Sequence, residues 1–260
     1  MSGQDVHTLG DNPTAAHRLA LLAEVYEPVT RDLLGRRVPA PPALAVDLGC
    51  GPGHSTRLLH AVTGAAASIG LERSAEYLAL AGAEPVPGIS YRQHDVATWL
   101  PVEQAELVFA RFLLTHLADP GSAVEVWAGA LRPEGRLVLQ EVSRLVSRDP
   151  ALGRYYELVA ELQQAHGQSL DVGARLVELA RGSGLAVEHH AIRPLRPDVR
   201  AMAALHVLNL RTWRDDTVAR GQFDGDELDG LDAALVELAH GRAAAEPIEQ
   251  DLAELVLVCA

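Results

Sequence analysis

Val46-Asp47-Leu48-Gly49-Cys50-Gly51-Pro52-Gly53-His54-Ser55-Thr56 joins an apolar run, a glycine-rich turn and the opening of a polar segment. Glycines at 49, 51 and 53 let the backbone bend tightly and approach a ligand that a Cβ would push away. Strand, turn and helix in that order make a cradle for a nucleotide-type ligand. A dinucleotide fingerprint wants its third glycine three residues after the second, where this chain has His54. Asp47, two residues before the first glycine, repels a pyrophosphate and welcomes a cationic ligand or an amino group.

Outward from this stretch, apolar runs recur at 43–49, 65–72, 89–96, 105–112 and 135–142. Helices are expected to begin between them near His54, Ser74 and Gly121, the last running into Leu131-Arg132-Pro133-Glu134-Gly135, where Pro and Gly end it. Short apolar runs alternating with helices read as an α/β protein, a parallel sheet covered on both faces. Before them, Leu19, Leu22, Tyr26, Val29 and Leu33 form the stripe of an amphipathic helix over 13–34. Asn12 and Pro13 suit its start, Pro28 is expected to kink or split it, and 36–42 (RRVPAPP) is a linker. After Val142 the spacing predicts helices over 155–166, 172–181, 199–213 and 226–240, a sixth strand over 185–195 and a seventh over 252–260. The late helices read as a lid over the strand ends, where open α/β sheets bind ligands. Three segments result: an N-terminal helical segment at 1–42, a binding core at 43–142, and at 143–260 lid helices plus two strands that complete the core sheet.

Composition excludes several chemistries. The 260 residues hold 22 basic and 35 acidic side chains, a net charge of −13, and every basic one is Arg. Without lysine there is no Schiff base, no phosphate-loop lysine and no Tyr-x-x-x-Lys pair. The acidic balance disfavours nucleic acid. Cys50 and Cys259 have no zinc-site spacing, and His189 and His190, adjacent in a strand, point to opposite faces, so no metal is expected. No stretch of about 20 apolar residues and no apolar leader occur, so a cytoplasmic chain without a membrane segment is expected.

Glu72 closes the second apolar run, 23 residues beyond Gly49, where a carboxylate can accept from both hydroxyls of a ribose. At the end of the third run, Asp95 can accept from an adenine amino group while Val96 offers a backbone amide.

These residues resemble the class I S-adenosylmethionine-dependent methyltransferases. Asp47 to Gly53 is similar to their glycine-rich motif, Glu72 to their ribose acid and Asp95 to their adenine-side acid, while 109–120 and 131–141 are similar to the fourth and fifth strand motifs. The resemblance implies a Rossmann-like seven-stranded, mostly parallel sheet with helices on both faces, a helical lid and an antiparallel last strand. It implies S-adenosyl-L-methionine as cofactor, held by Arg18, Asp47, Gly49, Cys50, Gly51, Gly53 and Ser55 on one side. Glu72, Arg73, Asp95, Val96, Ala110, Arg111 and Phe112 complete that set, with Arg18 approaching the methionine carboxylate. Glu134 stands where the family often has Gly, in a turn remote from the ligand edge.

The implied activity is in-line methyl transfer to O, N or C of a small molecule, a secondary metabolite. The alternative keeps the cofactor but catalyses a cyclisation, decarboxylation or elimination. His116, His166 and His206 are candidate bases, each with a packing role as the competing reading. Tyr155, Tyr156, Met202 and Trp213 fall in the lid, and an apolar pocket built from them suits an aromatic or polyketide-like substrate. The expected partner is that small molecule; a homodimer is left open.

Overall fold

The structure, a computed structural model, describes residues 13–243 and 245–260. The helix start expected at Asn12 lies outside them. Helix α1 (Pro13–Arg37) runs unbroken through Pro28, which was expected to kink or split it. Pro28 and Glu24 both face solvent, so the Glu24 carbonyl that loses its helical donor can bond to water.

Strands β1 (Leu44–Leu48), β2 (Ala67–Glu72), β3 (Ile89–Gln93), β4 (Ala105–Arg111) and β5 (Leu131–Ser147) are parallel. β6 (Ala186–Leu195) and β7 (Ile248–Val258) complete one sheet in the order β3-β2-β1-β4-β5-β7-β6, with β7 antiparallel to both neighbours. Strand order reverses between β1 and β4, so a crevice opens at their carboxyl ends. α2 (His54–Thr63), α3 (Ala75–Gly82) and α4 (Pro120–Ala128) link the first five strands. Leu33 and Leu34 of α1 and Leu59 of α2 pack on Ala45, Leu107, Phe109, Val138 and Val256 of one face. Trp127 of α4 sinks among Val46, Val108, Leu137 and Leu255 on the other.

Two expectations are corrected. The helix after Gly121 stops at Ala128, and 131–135 already belongs to β5. Pairing jumps from Ala105–Leu131 to Leu107–Arg136, so residues 132–135 bulge opposite Glu106 alone. Pro133 and Gly135 therefore mark a strand bulge, and Glu134 takes the left-handed φ of 63° that explains a preference for Gly there. The single helix expected over 172–181 is instead a 3-10 turn (Val172–Arg175), the short α6 (Leu176–Leu179) and a second 3-10 turn (Ala180–Ser183). Close approach to β5 forces this: a Cβ on Gly173 would lie 2.5 Å from the Val142 carbonyl.

α5 (Pro150–Ala165), α7 (Val199–Trp213), α8 (Thr217–Gln222) and α9 (Gly225–Ala239) form a cap with its own core. Leu152, Leu158, Leu210 and Leu235 are fully buried in it, and it packs on Leu22 and Val25 of α1 and on Leu145 and Ile248 at the extended ends of β5 and β7. Among the described residues no helix is long and apolar enough to cross a membrane.

Candidate active site

β1 delivers the chain into the glycine turn, where Gly49, Gly51 and Gly53 have φ of 65°, 52° and 84°. These left-handed values suit glycine alone at low cost. Gly53 is also sterically closed, since a Cβ there would lie 2.5 Å from the Tyr91 hydroxyl. Asp47 accepts hydrogen bonds from the hydroxyls of Ser55 and Thr56, both 2.6 Å away. Burial pushes its carboxyl up to about 6, against the pull of those two hydroxyls. Asp47 thus fastens the first turn of α2 to β1.

Glu72 ends β2, and its Oε2 accepts from the Gly51 amide at 3.0 Å. Its Oε1 accepts from the amides of Arg73 and Ser74 at 2.8 and 2.9 Å. One carboxylate therefore locks the glycine turn to the entry of α3. Beyond β3, Asp95 is exposed and accepts from the Ala97 amide. The Val96 carbonyl takes the buried Trp127 indole at 2.8 Å, which fixes this loop to the core below.

The exit of β4 is strained. Phe112 has a φ of 54°, unfavourable for an aromatic residue and the kind of outlier held at functional sites. The next two amides, of Leu113 and Leu114, both donate to Glu141 Oε1 at 2.8 Å. Glu141 is buried, and burial pushes its carboxyl up to about 8. Leu113 in turn packs against Gly49, where a Cβ would meet it at 2.8 Å. Glu141 was missed in the sequence, although its signal was present: like Glu72, it is an acid near the end of an apolar run. Arg111 donates to Thr30 at 3.0 Å and lies 5.7 Å over the Phe112 ring. Burial lowers its pKa, while Asp47 works the other way.

These turns enclose a cavity of about 460 Å³ at the carboxyl ends of β1, β2 and β4, within the range of ligand sites. Arg18, Gly49, Cys50, Gly51 and Ser55 line it on one side. Glu72, Arg73, Asp95, Val96, Arg111 and Phe112 line the other. Three of the expected cofactor residues do not reach it. Asp47 is turned to α2, Gly53 sits behind the turn at the start of α2, and Ala110 is buried in the sheet beneath. Leu19, His54, Tyr77 and Gln168 line it although the sequence did not single them out.

His116 and His166 also line the cavity. His166 sits at the end of α5, its Nε2 3.2 Å from Asp216. His206 does not: it is buried in the cap, 3.1 Å from the Tyr156 hydroxyl, and desolvation pushes its pKa down to about 3. Tyr155, Tyr156, Met202 and Trp213 are likewise buried in the cap core and contribute nothing to the cavity wall. Their helical stripes face one another, so the aromatic pocket expected from them is not open here.

Residues 46–139 match the family profile described as "Methyltransferase domain". Over 186 residues the chain is 33% identical to the trans-aconitate 2-methyltransferase of Azoarcus sp. (strain BH72), covering 60% of this chain and 73% of the relative. The enzyme of the same name from Methylobacterium radiotolerans is 31% identical over 206 residues, covering 65% and 78%. Phosphoethanolamine N-methyltransferase 2 of Haemonchus contortus, solved with phosphomonomethylethanolamine and S-adenosylhomocysteine, shares the fold at a TM-score of 0.58 and 16% identity, over 93% of this chain and 57% of that one. With the sheet order, the glycine turn locked by Glu72 and these relatives together, the chain belongs to the class I S-adenosylmethionine-dependent methyltransferases.

Proposed function

We propose that this enzyme transfers the methyl group of S-adenosylmethionine to a carboxylate oxygen of a small organic acid. The cavity suits the cofactor: its glycine wall has no side chains to obstruct close approach, and the Glu72 and Asp95 carboxylates stand at successive strand ends. Glu72 would take the ribose, Asp95 and Val96 the adenine, and Arg18 the methionine carboxylate. Asp47, Gly53 and Ala110 support that wall from behind.

The observation that carries the substrate reading is the pair of arginines, Arg18 and Arg111, in the wall of one cavity, with His54, His116 and His166 in the same lining. Three arginines, Arg18, Arg73 and Arg111, stand against three carboxylates, Glu72, Asp95 and Asp119, in that lining; with Glu72 and Asp95 given to the nucleoside and Arg18 to the methionine carboxylate, the Arg111 guanidinium is the group that would select an anionic oxygen. The relatives named for trans-aconitate, an acid whose only heteroatoms are carboxylate oxygens, agree with that chemistry.

When bound, the cofactor supplies a methyl group activated by its sulfonium charge. A carboxylate has already lost its proton, so this chain need not provide a base. Arg111, fixed by Thr30 and held at the strained exit of β4, is placed to orient the acceptor, and α1 with the end of α5 shields the crevice from water. His116 and His166 then act as polar lining and not as proton acceptors.

The test is conversion of trans-aconitate and a panel of di- and tricarboxylic acids, with S-adenosylhomocysteine counted and the product checked as an alkali-labile methyl ester. Binding of S-adenosylmethionine without ester formation from any acid refutes the substrate reading. Acid consumed without S-adenosylhomocysteine favours the non-methylating alternative.

A further inference from the structure

Thr30 of α1 is fully buried, and its hydroxyl is committed across the fold. Thr63 and Thr212 each donate to the carbonyl four residues earlier, the usual bond of a helical threonine. Thr30 instead donates to Gln140 Oε1 in β5 at 2.6 Å, and its oxygen accepts from Arg111 Nη1 at 3.0 Å. Gln140 is fully buried as well, and its backbone carbonyl takes the Phe112 amide at 3.0 Å. Register sets it between Arg111 on β4 and Glu254 on β7. The Phe112 ring lies 5.7 Å from the guanidinium and is met edge-on at 4.8 Å by Tyr26, one turn before Thr30 in α1.

The direction of this chain of bonds is forced. Arginine only donates, so the Thr30 oxygen must accept from it; the single hydroxyl proton is left for Gln140, which must present its oxygen and not its amide nitrogen. Packing does not ask for this pair. Leu33 and Leu34 of α1 meet the same face of the sheet through apolar contacts, and two apolar side chains of matching shape would join α1 to β5 about as well. What the pair adds lies at its far end, since Arg111 alone of the three lines the cavity. Thr30 sets one edge of the guanidinium and Phe112 its face, which leaves the N–H groups of Nε and Nη2 for a ligand.

We propose that Thr30 and Gln140 are positioning residues for the acceptor: they hold the Arg111 guanidinium in one orientation, so that its Nε and Nη2 edge receives a carboxylate of the substrate. This rests on the reading of the substrate as a small acid and assigns how the arginine that recognises it is aimed. An unrestrained arginine loses rotamer freedom when it binds a ligand. One already fixed by Thr30 has lost that freedom on folding, so the acid binds at lower cost. Two-point contact with a carboxylate also needs the guanidinium plane aligned, which a point charge does not. Neither Thr30 nor Gln140 lines the cavity, so both act through Arg111.

The test uses the whole chain with S-adenosylmethionine and whichever di- or tricarboxylic acid wild type turns over best, trans-aconitate first. Thr30→Val keeps the shape and removes the hydroxyl, while Thr30→Ser keeps the hydroxyl. Thr30→Val should raise KM for the acid about tenfold with kcat and S-adenosylhomocysteine affinity within about threefold of wild type, and Thr30→Ser should hold KM within about threefold. Gln140→Met, which removes the last acceptor, should raise KM in the same way and serves where Thr30→Val folds poorly. Arg111→Met should raise KM further. Adding Thr30→Val to Arg111→Met should then change KM by less than about twofold, because nothing is left to position. Unchanged KM in Thr30→Val and Gln140→Met, equal losses in Thr30→Val and Thr30→Ser, or an effect of Thr30→Val that persists in full beside Arg111→Met overturns the positioning role and leaves the substrate reading standing. A crystal structure with S-adenosylhomocysteine and the acid in which Arg111 has left Thr30 to meet the carboxylate overturns it as well. No turnover of any acid by wild type removes both.

Discussion

Glu141→Gln should make the protein more stable above neutral pH and should flatten its pH dependence. Glu141 is only 1% exposed, and burial raises its carboxyl from 4.5 to about 8, although the Leu113 and Leu114 amides pull the other way. The fold therefore prefers the protonated acid. Its contribution is fully present below pH 4.5 and is lost as pH rises toward about 8. The whole gap from 4.5 to about 8 corresponds to about 5 kcal/mol, of which about 3 falls between pH 5 and 8. Glutamine keeps an oxygen where both amides donate and carries no charge to desolvate. Urea denaturation of wild type and Glu141→Gln at pH 5, 6, 7 and 8.5 measures this, and subtracting one from the other cancels every other titrating group. The variant should gain on wild type by about 3 kcal/mol across the window. A difference that stays constant with pH would refute the claim that an uncompensated buried charge sits under the β4 exit.

Further outcomes follow from the same geometry. Glu72→Ala leaves the amides of Gly51, Arg73 and Ser74 without their acceptor and should weaken S-adenosylhomocysteine binding by about 1–3 kcal/mol in calorimetry. Gly70→Ala puts a Cβ 2.7 Å from Tyr91 and 2.8 Å from both Cys50 and Thr56, so it should destabilise by about 1–3 kcal/mol in denaturant. Equal or greater stability would show that the packing beneath the glycine turn yields. With a carboxylic acid as acceptor, His116→Gln and His166→Gln should each keep kcat well above the roughly hundredfold loss expected on removing a general base. A kcat that falls a hundredfold with either would show that a proton must be removed after all.

Much of the fold was legible because its signals are local. Buried parallel strands read as apolar runs, so β1 to β4 lay within two or three residues of their expected ends. Glycines at 49, 51 and 53 announced a turn because only glycine tolerates those φ values cheaply. The start of β5 was misread because Pro133 and Gly135 stop helices and shape bulges alike, and the choice was made by pairing with β4. Asp47 was expected among the cofactor residues, and the sequence cannot show that Ser55 and Thr56 turn back to it.

From the order of residues alone came the strand runs, the glycine turn and the two strand-end acids, while the cofactor came from the family that these residues resemble. Those rest on short-range backbone conformation and on apolar periodicity, which neighbouring residues encode. Tertiary structure alone decided that the aromatic residues of α5 and α7 turn inward on each other and that Glu141 holds a loop 28 residues away. A helical stripe specifies that a face is buried, but the partner it is buried against is set only by how the whole chain packs.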